Sequence, residues 1–208
     1  MIEAVIFDFG GVIITSPIGN FRALEIQNGI PEGSIAKLNM QNHHDNAWAR
    51  FERSEIDLDT FVLQFEQEAK NSGFAVDPRA LIGGSSNSLN QSMVDALTWL
   101  KGRYKLALLT NNFSIASNLD WLSNVVDMFD VVVESSKVGM RKPEERIYHH
   151  TLDLLGTEAE RTVFLDDLGV NLKTARALGI HTIKVANPES ALEELWQMLG
   201  DRPKLSPA

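Results

Sequence analysis

Four short apolar runs constrain this chain more than any other feature. They are A-V-I-F-D ending at Asp8, L-A-L-L-T ending at Thr110, T-V-F-L-D ending at Asp166, and H-T-I-K-V ending at Val185. Each is rich in Val, Ile, Leu or Phe without polar alternation, which is how a strand covered on both faces reads. A weaker run, F-D-V-V-V over 129–133, makes a fifth. Helical patterns fill the later gaps, at 90–101, 114–123, 143–155, 172–178 and 188–199, and Gly156 and Gly179 stand where helix ends are expected. Alternating strands and helices predict an α/β fold built on a doubly wound, mostly parallel sheet.

Residues 16–85 break this rhythm. They hold helical patterns, such as Leu58 to Lys70 with Phe61, Phe65 and Ala69 on one side, but no convincing strand. Loop chemistry marks both edges: Thr15-Ser16-Pro17 and Gly83-Gly84-Ser85-Ser86. The expected organisation is a core made of 1–15 and 86–208 with an α-helical cap over 16–85, joined by two linkers able to act as a hinge. The tail from Arg202 to Ala208 reads as frayed.

With 208 residues, 44% of them hydrophobic and 23% charged, the chain can build a sizeable core unaided. It has no cysteine, which removes disulfides, thiolate metal sites and cysteine nucleophiles. Its net charge of −9 comes without a basic run, so neither nucleic acid nor an anionic membrane is an expected partner. No apolar stretch approaches the roughly 20 residues that cross a bilayer. The start, M-I-E-A-V-I-F-D-F-G-G, has no positively charged leader, and the expectation is a cytoplasmic chain, with monomer and homodimer both open.

In open α/β sheets, ligands bind beyond the carboxyl ends of the strands. Asp8, Thr110 and the pair Asp166-Asp167 are placed there. Asp8 runs into Phe9-Gly10-Gly11, where the backbone can approach a ligand closely, and its carboxylate suits a nucleophile or a metal ligand. Two adjacent carboxylates repel unless a hard cation with oxygen ligands relieves them, which points to Mg2+. Thr110-Asn111-Asn112 offers a hydroxyl, amide donors and the start of a helix, an anion-binding combination. Lys142, held extended before Pro143 at the first position of a helix, is a cation for the same strand ends, with Lys137 and Arg141 as competitors.

These residues in this order resemble the haloacid dehalogenase-like hydrolase superfamily. The motifs are D-F-G-G-V at Asp8, L-L-T-N-N at Thr110, G-M-R-K-P-E-E-R-I-Y at Lys142 and V-F-L-D-D-L-G-V-N at Asp166-Asp167. The stretch L-D-D-L-G-V-N-L-K-T-A-R-A-L-G-I-H-T-I-K-V, with E-I-Q-N-G-I-P and W-A-R-F-E-R-S-E-I, looks especially like the phosphatase domain of soluble epoxide hydrolase. It is similar too to the hydrolase-like domain of an acyl-CoA dehydrogenase family member. The resemblance implies a Rossmann-like core with a helical cap, and a phosphatase acting on a small phosphorylated substrate. Asp8 would be the nucleophile that forms an aspartyl-phosphate. Thr110, Asn111 and Asn112, with Gly11, would hold the phosphoryl group, and Lys142 would neutralise it. Mg2+ would sit on Asp8, the Gly10 carbonyl and Asp167, assisted by Asp166, with Asn171 supporting the site. Arg22, Asn39, His43, His44, Trp48 and Arg50 are candidates to line the cap side.

One position departs from the family pattern. Phosphatases of this kind carry an aspartate two residues after the nucleophile as general acid and base, and here that residue is Gly10. General acid–base help is typically worth about 10²–10⁴-fold, so esters with poor leaving groups should suffer most. Two alternatives follow. One is a metal-free 2-haloacid dehalogenase, which also lacks that aspartate but lacks the acidic pair as well. The other is a non-catalytic module that binds a metabolite or a protein. An oxidoreductase is disfavoured, since no G-x-G-x-x-G follows the first strand.

Overall fold

The computed structural model describes residues 1–15, 18–83, 88–112 and 123–203. Most of the two expected linkers, the helix expected over 114–123 apart from Ser123, and the end of the tail lie outside the described residues.

Five parallel strands form one sheet: β1 (Ala4–Phe7), β2 (Lys105–Thr110), β3 (Val131–Glu134), β4 (Thr162–Asp166) and β5 (His181–Lys184), in the order β3-β2-β1-β4-β5. Alternation across the pleat sends Val5 and Phe7 to one face and Ala4 and Ile6 to the other. The first face is covered by α6 (Gln91–Leu100) and α11 (Pro188–Leu199), through Met93, Leu97, Leu100, Leu192 and Leu195. The second is covered by α9 (Glu145–Leu155) and α10 (Gly169–Ala177), through Ile147, Tyr148, Leu152, Leu172 and Ala175. This is the doubly wound α/β sheet that the unalternating runs predict.

The edge strands correct one expectation. H-T-I-K-V reads as a strand buried on both faces, yet in β5 only Ile183 is buried while His181 and Lys184 face solvent. An edge position explains it, because one side of the strand has no neighbour. Three short elements complete the core among the described residues: α7 (Ser123–Val126) before β3, α8 (Ser135–Val138) after it, and a 3-10 turn (Ala159–Arg161) leading into β4.

Between β1 and α6 lie α1 (Ile18–Gln27), α2 (Ser34–Met40), α3 (Ala47–Glu52), α4 (Leu58–Asn71) and α5 (Pro78–Gly83). They pack around an apolar cluster of their own, with Phe21, Ile35, Leu38, Phe51, Phe61 and Phe65 at its centre. Phe61, Phe65 and Ala69 share one face of α4 at the i, i+4 spacing of a helix stripe. Asn46 caps α3, its side chain accepting from Ala49 N at 2.8 Å, and Asp57 caps α4 by accepting from Thr60 N at 2.8 Å. No helix among the described residues is long and apolar enough to cross a membrane.

Candidate active site

The chain runs from β1 outward to β2 and β3 on one side, then crosses to β4 and β5 on the other. The reversal between β1 and β4 opens a crevice at their carboxyl ends. Asp8 stands there immediately after β1, held by its backbone N–H donating to Leu165 O at 2.9 Å. Asp166 ends β4, and Asp167 follows. One oxygen from each of Asp8, Asp166 and Asp167 can be chosen so that all lie within 4.8 Å of one another.

Lys142 is buried among them. Its Nζ lies 2.7 Å from Asp8 Oδ1 and 2.8 Å from Asp166 Oδ2. Asp8 Oδ1 also accepts from Phe9 N at 2.6 Å. Asp166 is saturated: besides Lys142 it accepts from Leu168 N at 2.7 Å and from Asn171 Nδ2 at 3.1 and 3.0 Å. Asn171 is fixed in turn by Tyr148, whose hydroxyl donates to the Asn171 carbonyl at 3.0 Å. The competing cations are occupied elsewhere. Lys137 pairs with Glu134, and Arg141 with Glu52 at 2.6 Å. Pro143 corrects a detail, since it lies in a turn two residues ahead of α9 rather than at its first position.

Asn111 ties itself to the lysine loop. Its Oδ1 accepts from Lys142 N at 2.9 Å, and its Nδ2 donates to Lys142 O at 3.0 Å and to Glu52 at 3.1 Å. The side chain is thereby committed to placing Lys142. Asn112 is turned away from the crevice: its Nδ2 donates to Glu134 at 2.6 Å, its Oδ1 accepts from Ser136, and its N–H donates to Ser135 Oγ at 2.9 Å. Gly11 also differs from the expected phosphate role, because its N–H donates to Ile14 O at 2.8 Å. Its use is spatial. At φ +76° it leaves room for Asp167, and a Cβ there would lie 2.3 Å from Asp167 Oδ2.

A cavity of about 240 Å³ opens above these groups. Asp8, Gly10, Thr110, Lys142 and Asp167 form its floor, while Phe21, Ala36, Met40 and Trp48 from the helical insertion contribute an apolar roof. Of the residues expected on the cap side, Asn39, His43 and Trp48 line it. Arg22 pairs with Glu32 at the surface, Arg50 reaches Gln64 and Glu55 within the insertion, and the His44 ring does not line the cavity. His43 and His44 lie in a turn with ring centroids 3.9 Å apart. Burial, with His44 and Arg141 nearby, holds His43 below the usual histidine range.

Sequence reasoning missed Glu52. It is buried at the end of α3, where Oε1 accepts from Trp48 Nε1 at 2.9 Å and Oε2 from Asn111 and from Arg141 Nε at 2.6 Å. A glutamate closing the apolar stretch W-A-R-F-E was the available signal, since carboxylates are almost never fully buried without partners.

Electrostatically the floor is unbalanced. Three carboxylates face one lysine, an excess of two negative charges when all are ionised. Burial pushes the Asp8 carboxyl up to about 8, against the pull of Lys142 and with Asp166 and Asp167 adding to the rise. Burial draws the Lys142 ammonium down, but Asp166 and Asp8 more than offset it and its pKa stands above the usual lysine value. All-oxygen donors, excess negative charge and a glycine that makes room for Asp167 fit a hard divalent cation.

The fold and this crevice are those of a hydrolase that works from the switch point of a Rossmann-like sheet. Residues 2–179 match the haloacid dehalogenase-like hydrolase family, and the chain belongs to it. It is 38% identical over 204 residues to acyl-CoA dehydrogenase family member 10 of Mus musculus, covering 95% of this chain but 19% of that protein. To bifunctional epoxide hydrolase 2 of Sus scrofa it is 30% identical over 224 residues, covering 100% of this chain and 40% of that protein. The chain thus spans well under half the length of both. It is 28% identical to the sesquiterpene phosphatase astK of Aspergillus oryzae, over 95% of this chain and 97% of that one. Among solved structures, a HAD-like hydrolase from Porphyromonas gingivalis superposes with a TM-score of 0.69 at 23% identity, covering 97% of this chain and 100% of that one. A Bacteroides thetaiotaomicron HAD enzyme in complex with magnesium and inorganic phosphate gives 0.61 at 24% identity, covering 92% and 99%.

Proposed function

We propose that this chain is a Mg2+-dependent phosphatase of small phosphomonoesters, with the helical insertion as its cap over 16–85 and the remainder as its core. The observation that carries this reading is the buried set Asp8, Lys142, Asp166 and Asp167 at the switch point of the sheet. Asp8, Asp167 and the Gly10 carbonyl would hold the ion, and Asp166, already saturated, would act by fixing Lys142 and the Asp167 backbone beside it. When bound, Mg2+ would supply charge neutralisation for the phosphoryl oxygens and the nucleophile.

Asp8 Oδ1 is engaged by Lys142 and Phe9, so Oδ2 is the attacking atom. A bond forms from Oδ2 to phosphorus, the phosphorus–oxygen bond to the leaving group breaks, and an aspartyl-phosphate results. Water then attacks that phosphorus, releases phosphate and restores the Asp8 carboxylate. Lys142 offsets charge throughout, and Thr110 lines the floor where the phosphoryl group sits. Gly10 brings no proton to the leaving oxygen, so the leaving group's own acidity controls the rate. The intact acidic set supports this reading over a metal-free dehalogenase.

The test is phosphate release from aryl, acyl, anomeric and alkyl phosphates, with and without Mg2+, beside Asp8→Asn and a halide-release assay on a 2-haloacid. Release should require Mg2+ and Asp8, fall steeply from acyl and aryl to alkyl phosphates, and be accompanied by no halide release. Halide release without metal would overturn the reading.

A further inference from the structure

The cavity's roof holds one polar group with nothing to bind. Helix α2 turns Ile35 and Leu38 into the insertion's own core and sets Ala36, Asn39 and Met40 along the cavity. The backbone at Asn39 is pinned, because its carbonyl accepts from Asn46 Nδ2 at 2.9 Å, and Asn46 caps α3. The Asn39 side-chain oxygen is buried yet has no hydrogen-bond partner, one of two such side-chain atoms among the described residues. A buried acceptor left unmade is costly, and native proteins rarely keep one without a use. The polar neighbours in the roof do not bond it: Glu52 is an acceptor, the Arg141 guanidinium donates to Glu52 and to the His43 carbonyl at 2.7 Å, and the His43 ring makes no hydrogen bond to it.

Besides His43, Glu52 and Arg141, that half of the cavity is lined by apolar side chains: Phe21, Ala36, Met40, Trp48, Leu168 and Val170. At about 240 Å³ the space falls below the roughly 300–1,000 Å³ of drug-sized pockets, so the organic group is small. We propose that Asn39 selects the substrate: a small phosphomonoester with an apolar body and a single hydroxyl or comparable donor, which this carbonyl accepts. The terminal torsion of asparagine is broad, so a turn about it presents the oxygen to the cavity at little cost. The inference rests on the phosphatase reading, with the phosphate on the floor and the donor in the roof.

The experiment uses the full chain with Mg2+ and matched C5 and C6 alkyl phosphates, unsubstituted or hydroxylated at successive carbons, with glucose 6-phosphate as a polyol control. The best hydroxyalkyl phosphate should exceed its unsubstituted counterpart in kcat/KM by about tenfold, as one hydrogen bond of about 1.4 kcal/mol requires. Both should exceed the polyol. In Asn39→Leu the preference between the matched pair should collapse to about one while both stay ahead of the polyol, and the thermal midpoint should not fall. The corresponding alkylphosphonates, measured by calorimetry, should show the same ranking in binding. A wild type indifferent to the hydroxyl, a polyol turned over best, or an Asn39→Leu protein that keeps the discrimination overturns the proposal. Phosphonate discrimination without phosphate release upholds recognition by Asn39 and overturns the catalytic reading instead. Absence of both overturns the two together.

Discussion

Around Asp8, three carboxylates meet one lysine. At the junction above it, Glu52, Glu55 and Glu144 meet Arg53, Arg141 and Arg146, with contacts of 2.6 to 3.0 Å. Both networks are wholly or partly buried, and both join residues distant in sequence. They differ in balance. At the junction every carboxylate faces a guanidinium, with Arg50 joining Glu55 at 3.9 Å, so no carboxylate there is left over for a further cation. Among the described residues the floor sets three carboxylates beside one lysine, a surplus of negative charge that suits a cation. Balance marks architecture here, and imbalance marks chemistry.

The sharpest way to test that contrast is to remove Lys142, the cation bonded to both Asp8 and Asp166. Lys142→Met leaves Asp8 and Asp166 buried without their partner, which should cost about 3–5 kcal/mol in denaturant unfolding at neutral pH. It should also lower kcat by about a thousandfold with the fold still present in circular dichroism. A loss of less than about tenfold in kcat would remove Lys142 from the chemistry.

A second effect follows from the raised Asp8 carboxyl. In the folded, metal-free chain this group keeps its proton up to about pH 8, whereas the unfolded chain loses it near 3.8. The folded state therefore binds the extra proton between those values. Metal-free stability should fall as pH rises from about 4 to about 8, then level off. Mg2+ must displace that proton, so its Kd should tighten by up to about tenfold per pH unit below about pH 8 and flatten above it. Calorimetric titration at several pH values checks this, and a pH-independent Kd across the window would contradict it.

The smallest effect is expected at the junction. Glu52→Gln leaves one acceptor oxygen, enough for Trp48 or for Asn111 but not for both, puts an NH2 donor in place of the other oxygen and removes the charge facing Arg141. KM should rise by about fivefold while kcat changes less than about threefold, with about 1–2 kcal/mol lost in stability. If kcat fell as far as in Lys142→Met, the two networks would have to be treated as one.

Much of the floor was legible in the sequence because its residues end strands, and unalternating apolar runs announce those strands. Asp8, Thr110 and Asp166 needed only the rule that parallel strands present their carboxyl ends together. Strand-end reasoning leaves Lys137, Arg141 and Lys142 all open, the family resemblance singles out Lys142, and only the fold shows Lys137 and Arg141 engaged elsewhere. The junction was not legible. Glu52 and Arg141 are 89 residues apart, and Arg53 and Glu144 are 91 apart, so no local spacing pairs them. The same long reach explains Asn111, which a strand-end reading casts as a phosphate ligand and the fold turns toward the lysine loop. At Gly11 the sequence shows a glycine beside the first strand, and only the neighbouring loop reveals that its missing side chain leaves space for Asp167. β5 was over-read, since an edge strand can carry the same apolar residues as a central one.

The helical insertion packs around its own apolar cluster, and among the described residues its side-chain ties to the core run through a few groups: the Glu52 carboxylate, the Arg53 guanidinium and the His43 carbonyl. A layer attached that sparingly can be redrawn without disturbing what lies beneath. Changes at Ala36, Asn39 or Met40 alter the walls of the cavity while Glu52 keeps the register with Arg141 and Asn111. The chain is thus arranged as a fixed reaction chamber under an exchangeable ceiling, and new substrates can be explored from above at little risk to the chemistry below.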